Sequence, residues 1–202
     1  MKLYYSPGAC SLSPHIVARE AGIAIDLQKV DLKTKKLVNG GDYGQVNAKG
    51  DGPLRELANG ERFTEGPVIL QYLADQKPES GLAPKAGSME RYRLQEWLNF
   101  ITSELHKTWG AMFHPKCAGD WKQAMLDRLG LRLDYVAKQL EGRSYLMGEQ
   151  FTVADAYMFT VLNWSGMTGV DLGRWPAIKA YVARVAARPR VQETLKAEGL
   201  VK

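Results

Sequence analysis

The segment Tyr4-Tyr5-Ser6-Pro7-Gly8-Ala9-Cys10-Ser11-Leu12-Ser13 joins a short apolar strand to a predicted helix, and it decides the fold of this chain. Cys10 lies at the turn between the two elements. The free amides and the positive dipole end of a helix's first turn stabilise a thiolate, so they lower the pKa of a cysteine there below its free value of about 8.5. The position therefore predicts a reactive thiol, with a small buried core residue as the alternative.

Composition limits the possible classes of protein. The chain has 202 residues, of which 45% are hydrophobic and 24% charged, so one large or two small domains are expected. No apolar run reaches the roughly 20 residues that cross a bilayer, and we expect a cytoplasmic protein without a membrane partner. The net charge of +5 is spread along the chain without a basic tail, which disfavours nucleic acid and favours small anions. The two cysteines, Cys10 and Cys117, form no Cys-x-x-Cys pair, which disfavours a dithiol redox cycle.

The first eighty residues show mixed helix and strand patterns. Apolar runs and turn residues predict the order βαβ-ββα, with Asn59-Gly60 as the tight turn of a hairpin. The predicted strands and helices are strands 2–5, 25–32, 54–57 and 62–64, and helices 11–21 and 66–75. The polar stretch 33–52 is predicted to hold at most a short helix. Residues 1–80 are therefore predicted to form an α/β domain.

A helical pattern follows a stretch rich in proline and glycine. Residues 81–87 are predicted to be a linker, and residues 88–202 an all-helical domain. Ser88 can cap a long helix that extends to about residue 108. Thr152 and Asp155 have the spacing of a capping box, and they precede an apolar helix that is expected to be central to this domain.

Two short motifs of the first domain could bind a ligand. A thiol at a strand-to-helix turn, followed later by a proline at the start of a third strand, is the layout of thioredoxin-like domains. In that layout Pro53 is cis, and Gly52 presents its backbone to a peptide-like thiol ligand, although an ordinary Gly-Pro turn is the alternative. Glu65-Gly66 stands at a helix entrance and could bind the zwitterionic end of an amino acid. Alternatively, Glu65 only complements the helix dipole.

The long helix after the linker also carries candidate polar residues. Asn99, Ser103 and His106 are spaced four and three residues apart, which places them on one face of an α-helix, and Lys107 adds a cation. A solvated polar face is the alternative. The other two histidines have no ligand spacing with either cysteine, so no metal site is predicted.

Together these motifs resemble the cytosolic glutathione transferases, and specifically the bacterial beta class, over essentially the whole chain. The resemblance is carried by Met1-Lys2-Leu3-Tyr4-Tyr5 with Pro7-Gly8-Ala9-Cys10-Ser11, Thr64-Glu65-Gly66, Gln71-Tyr72-Leu73-Ala74-Asp75, Glu96-Trp97-Leu98-Asn99-Phe100, Ser103-Glu104-Leu105-His106-Lys107 and Phe151-Thr152-Val153-Ala154-Asp155-Ala156-Tyr157. It implies a thioredoxin-like N-terminal domain and an all-helical C-terminal domain. It also implies a homodimer that binds glutathione between the two domains, as a co-substrate and without a metal.

The resemblance also implies roles for individual residues. The catalytic candidates are Cys10, Ser11 and His106, with Tyr5 as a further candidate, and Cys10 faces the glutathione sulfur or forms a mixed disulfide with it. The implied glutathione-binding residues are Cys10, Lys35, Gly52, Pro53, Glu65, Gly66, Asn99, Ser103, His106 and Lys107. Lys35 would reach the glycyl carboxylate, and Glu65 with Gly66 would hold the γ-glutamyl end.

One position departs from the family pattern. The family usually has Gly-x-Val-Pro, whereas this chain has Gly50-Asp51-Gly52-Pro53. Glycine costs more conformational entropy to fix, so we expect weaker or more mobile glutathione binding.

The resemblance implies transfer of glutathione to small, hydrophobic electrophiles, in detoxification or aromatic catabolism. Two alternatives remain open: thiol-disulfide exchange through Cys10, and non-enzymatic binding of hydrophobic compounds. Trp109, Phe113 and Trp164 could line the electrophile pocket or belong to the core.

Overall fold

The computed structural model describes residues 1–50 and 52–202, so Asp51 of the Gly50–Pro53 run lies outside the described residues. The chain divides into two compact units. The first comprises residues 1–82 together with 188–202, and the second comprises residues 83–187.

The first unit contains a mixed sheet with three α-helices from the N-terminal part of the chain. Its strands are β1 (Lys2–Tyr5), β2 (Asp26–Asp31), β3 (Lys36–Leu37), β4 (Leu54–Glu56) and β5 (Arg62–Thr64), in the order β3-β2-β1-β4-β5. β1 runs parallel to β2, and the other neighbouring strands are antiparallel. The helices are α1 (Leu12–Glu20), α2 (Tyr43–Val46) and α3 (Gly66–Asp75), and a 3₁₀ turn follows at Pro78–Ser80.

This architecture confirms the predicted thioredoxin-like unit, with an added strand in the polar stretch. Within residues 33–52, where at most a short helix was expected, α2 is such a helix and β3 is the added strand. β3 has two residues and depends on its pairing with β2, in which Val30 faces Leu37. A strand this short has no alternation that a sequence pattern could reveal. Tyr43 of α2 is buried in one apolar cluster with Tyr4, Val30 and Leu54 of the sheet.

The last helix of the chain, α10 (Pro189–Ala197), packs against α1 in the first unit. The sequence analysis had placed residues 188–202 in the helical domain. Arg188 helps to fix the observed arrangement, because its guanidinium donates to both carboxylate oxygens of Glu20, at 2.7 and 2.8 Å. A helical pattern indicates that an apolar face exists but does not indicate which element covers it.

The second unit is helical among its described residues, as predicted. It contains α4 (Met89–Phe100), a π-helix (Ile101–His106), α5 (Lys107–Met112), α6 (Gly119–Gln139), α7 (Val153–Leu162), α8 (Ser165–Thr168), a 3₁₀ turn (Leu172–Arg174) and α9 (Pro176–Ala186). α7 is buried along its whole length, and it opens with the predicted capping box of Thr152 and Asp155. In the part of the chain that the structure describes, no helix is both long and apolar enough to cross a membrane.

The predicted long helix from Ser88 to about residue 108 is present, but its second half includes a π-helix. Ser88 caps α4 as predicted, by accepting from the amide of Arg91. The α-helical pattern ends at Phe100, and in the π-helix the amide of Lys107 donates to the carbonyl of Thr102, five residues back. The hydroxyl of Thr102 donates to the carbonyl of Leu98 at 2.8 Å, and such side-chain bonds compete with regular helix bonding.

Candidate functional site

The Cys10 thiol lies in the turn before α1 and contacts the residue that precedes the cis proline. Its Sγ donates to the carbonyl oxygen of Gly52 at 3.2 Å, and the Gly52–Pro53 bond is cis. The Ser13 hydroxyl donates to the Cys10 carbonyl at 2.8 Å and holds the turn. The structure thus brings together three residues that the sequence analysis grouped in one site. A carbonyl only accepts hydrogen bonds, so the Cys10 thiol is the donor in this contact.

Steric crowding does not require a glycine at position 52. A Cβ added at this position would meet no atom within 4 Å among the described residues. Glycine is therefore not the only residue that fits, and its expected effect on glutathione affinity stays a prediction.

The Ser11 hydroxyl is committed to the turn. Ser11 is 1% exposed, accepts from the amide of Ser6 at 3.1 Å and donates to the carbonyl of Ser6 at 3.1 Å. This pair of bonds fixes the loop and uses the hydroxyl proton, and the role of Ser11 in activating the sulfur stays a prediction. Tyr5 is half-buried, and burial together with the Glu198 carboxylate raises the pKa of its hydroxyl. Tyr5 therefore stays protonated at neutral pH.

Glu65 and Gly66, the residues predicted to bind the zwitterionic end of an amino acid, lie at the start of α3. Glu65 has a φ of 71°, and its carbonyl accepts from the amides of Val68 and Ile69, at 3.0 and 3.1 Å. A positive φ is uncommon for a residue with a side chain, and such residues concentrate at functional sites. The Glu65 carboxylate accepts from the ammonium of Lys49 at 2.6 Å. The sequence analysis did not single out Lys49, which lies in a polar stretch without periodicity.

Lys35, the residue implied for the glycyl carboxylate, lies in the same polar stretch of the first unit. Its φ is 57°, and its Nζ donates to the carbonyl of Gly50 at 2.6 Å. Lys35 and Lys49 of this stretch therefore both make bonds that hold the loop.

A buried carboxylate from the end of the chain anchors the Cys10 loop. Glu198 accepts from the amide of Gly8 at 2.9 Å and lies 2.8 Å from Nδ1 of His15. The Arg19 guanidinium donates to the other ring nitrogen of His15 at 3.1 Å, so that nitrogen is an acceptor and Nδ1 carries the proton. No local pattern links Glu198 to Gly8, which is 190 residues away, and sequence reasoning missed it.

In the helical unit, the π-helix presents part of the candidate polar face. Asn99, Ser103 and Lys107 are exposed, whereas His106 is half-buried. Nδ1 of His106 lies 2.6 Å from the hydroxyl oxygen of Tyr157, which is buried in α7. Tyr157 was predicted only as part of an apolar helix interior, so its role beside His106 was missed.

The aromatic candidates divide into two groups. Trp109 is fully buried, and its indole donates to Thr168 at 3.0 Å, so it belongs to the core. The ring of Trp164 makes edge-to-face contacts with the rings of His106 and Phe113, with centroids 4.9 and 5.7 Å apart. Phe113 is 46% exposed, so this group presents an apolar surface beside the imidazole.

Two cavities of the helical unit are lined by other residues. Their volumes are about 620 and 520 Å³, and among the described residues their linings contain none of the predicted site residues. No group of three or more His, Cys, Asp and Glu side chains that could hold a metal occurs within residues 1–50 and 52–202.

The chain is similar to known proteins over its whole length. Residues 100–189 match the family described as glutathione S-transferase, C-terminal domain. The chain is 44% identical over 200 residues to glutathione S-transferase GstA of Escherichia coli O157:H7, covering 99% of this chain and 100% of that protein. Two solved structures each cover 100% of both chains with a TM-score of 0.95: a sphingomonad glutathione S-transferase complexed with glutathione, at 45% identity, and a beta class enzyme of Sphingomonas chungbukensis, at 46%. The chain therefore belongs to the glutathione S-transferase family of enzymes, and within it to the bacterial beta class.

Proposed function

We propose that this transferase joins the glutathione thiolate to small, hydrophobic electrophiles, in detoxification or aromatic catabolism, as a cytoplasmic homodimer. The single observation that carries the proposal is the contact at 3.2 Å between the Cys10 thiol and the Gly52 carbonyl, beside cis Pro53. It places a sulfur next to a backbone that can pair with the cysteinyl residue of a peptide. The sphingomonad relative, solved with glutathione, supports the same ligand.

The charges of the candidate residues suit glutathione, which has two carboxylates and one ammonium. Glu65 offers a carboxylate to the ammonium, and Gly66 offers a helix-start amide to the carboxylate of the same γ-glutamyl group. Lys35 is assigned to the glycyl carboxylate. Of the exposed candidates of the helical unit, Asn99 and Lys107 are proposed to add donors for the same ligand. The Ser103 hydroxyl donates to the Asn99 carbonyl at 3.1 Å and is proposed to act as an acceptor.

Conjugation requires an ionised glutathione sulfur. In the proposed step the thiol proton is lost to solvent, the sulfur attacks an electrophilic carbon, and for a chlorinated nitroaromatic the C–Cl bond breaks and chloride leaves. Donors aimed at the sulfur stabilise the thiolate. His106 is the proposed donor of the helical unit, and the exposed ring of Phe113 is proposed to contact the electrophile.

Tyr157→Phe is expected to lower the kcat of conjugation about three- to tenfold, the effect of losing one hydrogen bond. If the Tyr157 hydroxyl donates to Nδ1 of His106, the proton of the neutral imidazole stays on Nε2, where it can face the sulfur. The variant is therefore also expected to change the pH–rate profile. Tyr92→Phe removes an exposed hydroxyl from α4 and serves as the control. An unchanged kcat and pH profile in Tyr157→Phe would show that this contact is only structural.

Thiol-disulfide exchange is the second candidate, and the half-buried position of the Cys10 thiol favours it. Cys10 sulfur would attack the glutathione sulfur of a mixed disulfide and release the substrate as a thiol. A second glutathione would then attack the Cys10–glutathione disulfide, giving oxidised glutathione and restoring the Cys10 thiol. This cycle needs one protein cysteine.

Three measurements on the wild-type protein test the proposal: glutathione binding by calorimetry, conjugation of a chlorinated nitroaromatic, and reduction of a small mixed disulfide. Conjugation supports the leading proposal, and disulfide reduction without conjugation supports exchange. Glutathione binding without either activity would support the non-enzymatic binder. Sedimentation of the same sample tests the dimer.

A further inference from the structure

The carboxylate proposed to receive the glutathione ammonium already binds an ammonium of the protein. Lys49 Nζ lies 2.6 Å from Oε1 of Glu65 and 2.9 Å from the hydroxyl oxygen of Thr64. Both side chains of the ion pair are 61% exposed, so the pair lies where a ligand can reach it. The lysine and the ligand's α-amino group are both primary ammonium ions that donate N–H bonds to a carboxylate.

We propose that Lys49 competes with the α-ammonium of the γ-glutamyl group for Glu65, and so sets the affinity for ligands that carry an ammonium at this end. The inference rests on the proposed function, in which Glu65 holds this end of glutathione. Two ammonium ions at one carboxylate repel each other, so binding of the ligand weakens the internal pair.

The two partners differ in how firmly they are held. The backbone of Glu65 is fixed, because its carbonyl receives the first amides of α3 at Val68 and Ile69. Lys49 lies outside the regular elements, on a flexible four-carbon side chain in solvent. An exposed ion pair of this kind contributes little free energy, so a ligand can displace it. Lys49 is therefore the partner that moves, and the carboxylate stays in place.

The neighbouring lysine does not share this role. Nζ of Lys35 donates to the carbonyl of Gly50 at 2.6 Å, and the proposed function assigns this residue to the opposite end of glutathione. The proposed competition therefore concerns Lys49 and ligands with an ammonium.

Lys49→Met tests the competition. We expect calorimetry to show that the variant binds glutathione about two- to fivefold more tightly than the wild type, in line with the modest strength of an exposed pair. An analogue without the α-amino group, deaminoglutathione, is expected to bind both proteins equally. Lys33→Met is the matched control, because it removes the same charge from an exposed lysine of the same stretch.

The other outcomes are separable. Weaker binding of both ligands to Lys49→Met would show that Lys49 binds a ligand carboxylate. Equal affinities of the wild type and Lys49→Met for glutathione would show that the ion pair is irrelevant to binding. Either result overturns the inference and leaves the proposed function intact. Tightening in Lys33→Met as well would assign the effect to net charge and also overturn it. If the wild type binds no glutathione, the proposed function and the inference fail together.

Discussion

Cys10→Ala is expected to abolish the reduction of a glutathionylated substrate, with a loss of at least ~100-fold, because exchange requires this sulfur as its nucleophile. Cys10→Ser is expected to fail equally, since an alcohol does not form the mixed disulfide. The measurement is release of the substrate thiol at a fixed glutathione concentration. Retained reduction in either variant would show that the nucleophile is another group.

Conjugation is expected to respond much less to the same substitutions. The Cys10 thiol donates to the Gly52 carbonyl at 3.2 Å, so we expect another group to be the main donor to the glutathione sulfur. We expect Cys10→Ala to keep kcat/KM for a chlorinated nitroaromatic within about tenfold, the range of one ordinary hydrogen bond. A loss of about 100-fold or more, partly restored in Cys10→Ser, would instead identify Cys10 as the activating donor.

The chain offers a matched control for both assays. Cys117 is the second of its two cysteines and lies in the helical unit. Cys117→Ala is expected to change neither activity. A change in this variant would show that the loss of a thiol acts through stability and not through the site.

Much of the first unit could be predicted because its signals are local. The predicted bounds of β1, β5 and α3 agree with the structure at both ends, since each element begins or ends at a turn residue or a proline. β3 could not be predicted, because two residues acquire strand geometry only through pairing with β2. The π-helix was missed for a similar reason, since 3.6-residue periodicity in the apolar positions extends through it.

The candidate site also combines residues that could be predicted from the sequence with residues that could not. Cys10, Gly52 and Pro53 could be grouped from their order along the chain, because the thioredoxin-like layout brings a strand-to-helix turn beside the cis proline. Glu198 and Tyr157 reach the site regions through contacts that span 190 and 51 residues, and no spacing rule connects such positions. Their side chains carry no special motif, so only the packed structure reveals them.

Asp155→Ala is expected to lower the free energy of unfolding by about 3–5 kcal/mol, because it removes the acceptor of four buried donors. Oδ1 accepts from the amide of Leu146 and the hydroxyl of Tyr181, both at 2.9 Å. Oδ2 accepts from the amide and hydroxyl of Thr152, at 2.8 and 2.9 Å. Asp155 is fully buried, so water cannot replace it without an opening of the helical unit. Urea unfolding followed by circular dichroism measures the change.

Asp155→Asn separates the effect of the hydrogen bonds on stability from the effect of side-chain volume. Asparagine has nearly the same size, but its amide nitrogen would face donors, so we expect most of the loss to persist. Stability close to the wild type in this variant would show that packing, not the carboxylate, is what the site requires.

The pH dependence of the unfolding free energy tests the role of Asp155 independently. Burial raises the pKa of Asp155 above its ordinary value of 3.8, and the four hydrogen bonds oppose this shift without cancelling it. The folded state therefore binds this proton more tightly than the unfolded state, so the group's contribution to stability is complete below pH 3.8 and declines as pH rises through the folded-state pKa. The difference in unfolding free energy between wild type and Asp155→Ala is thus expected to be smaller at high pH than in mild acid. A difference that instead grows with pH would show that the hydrogen bonds outweigh burial and hold the carboxylate ionised.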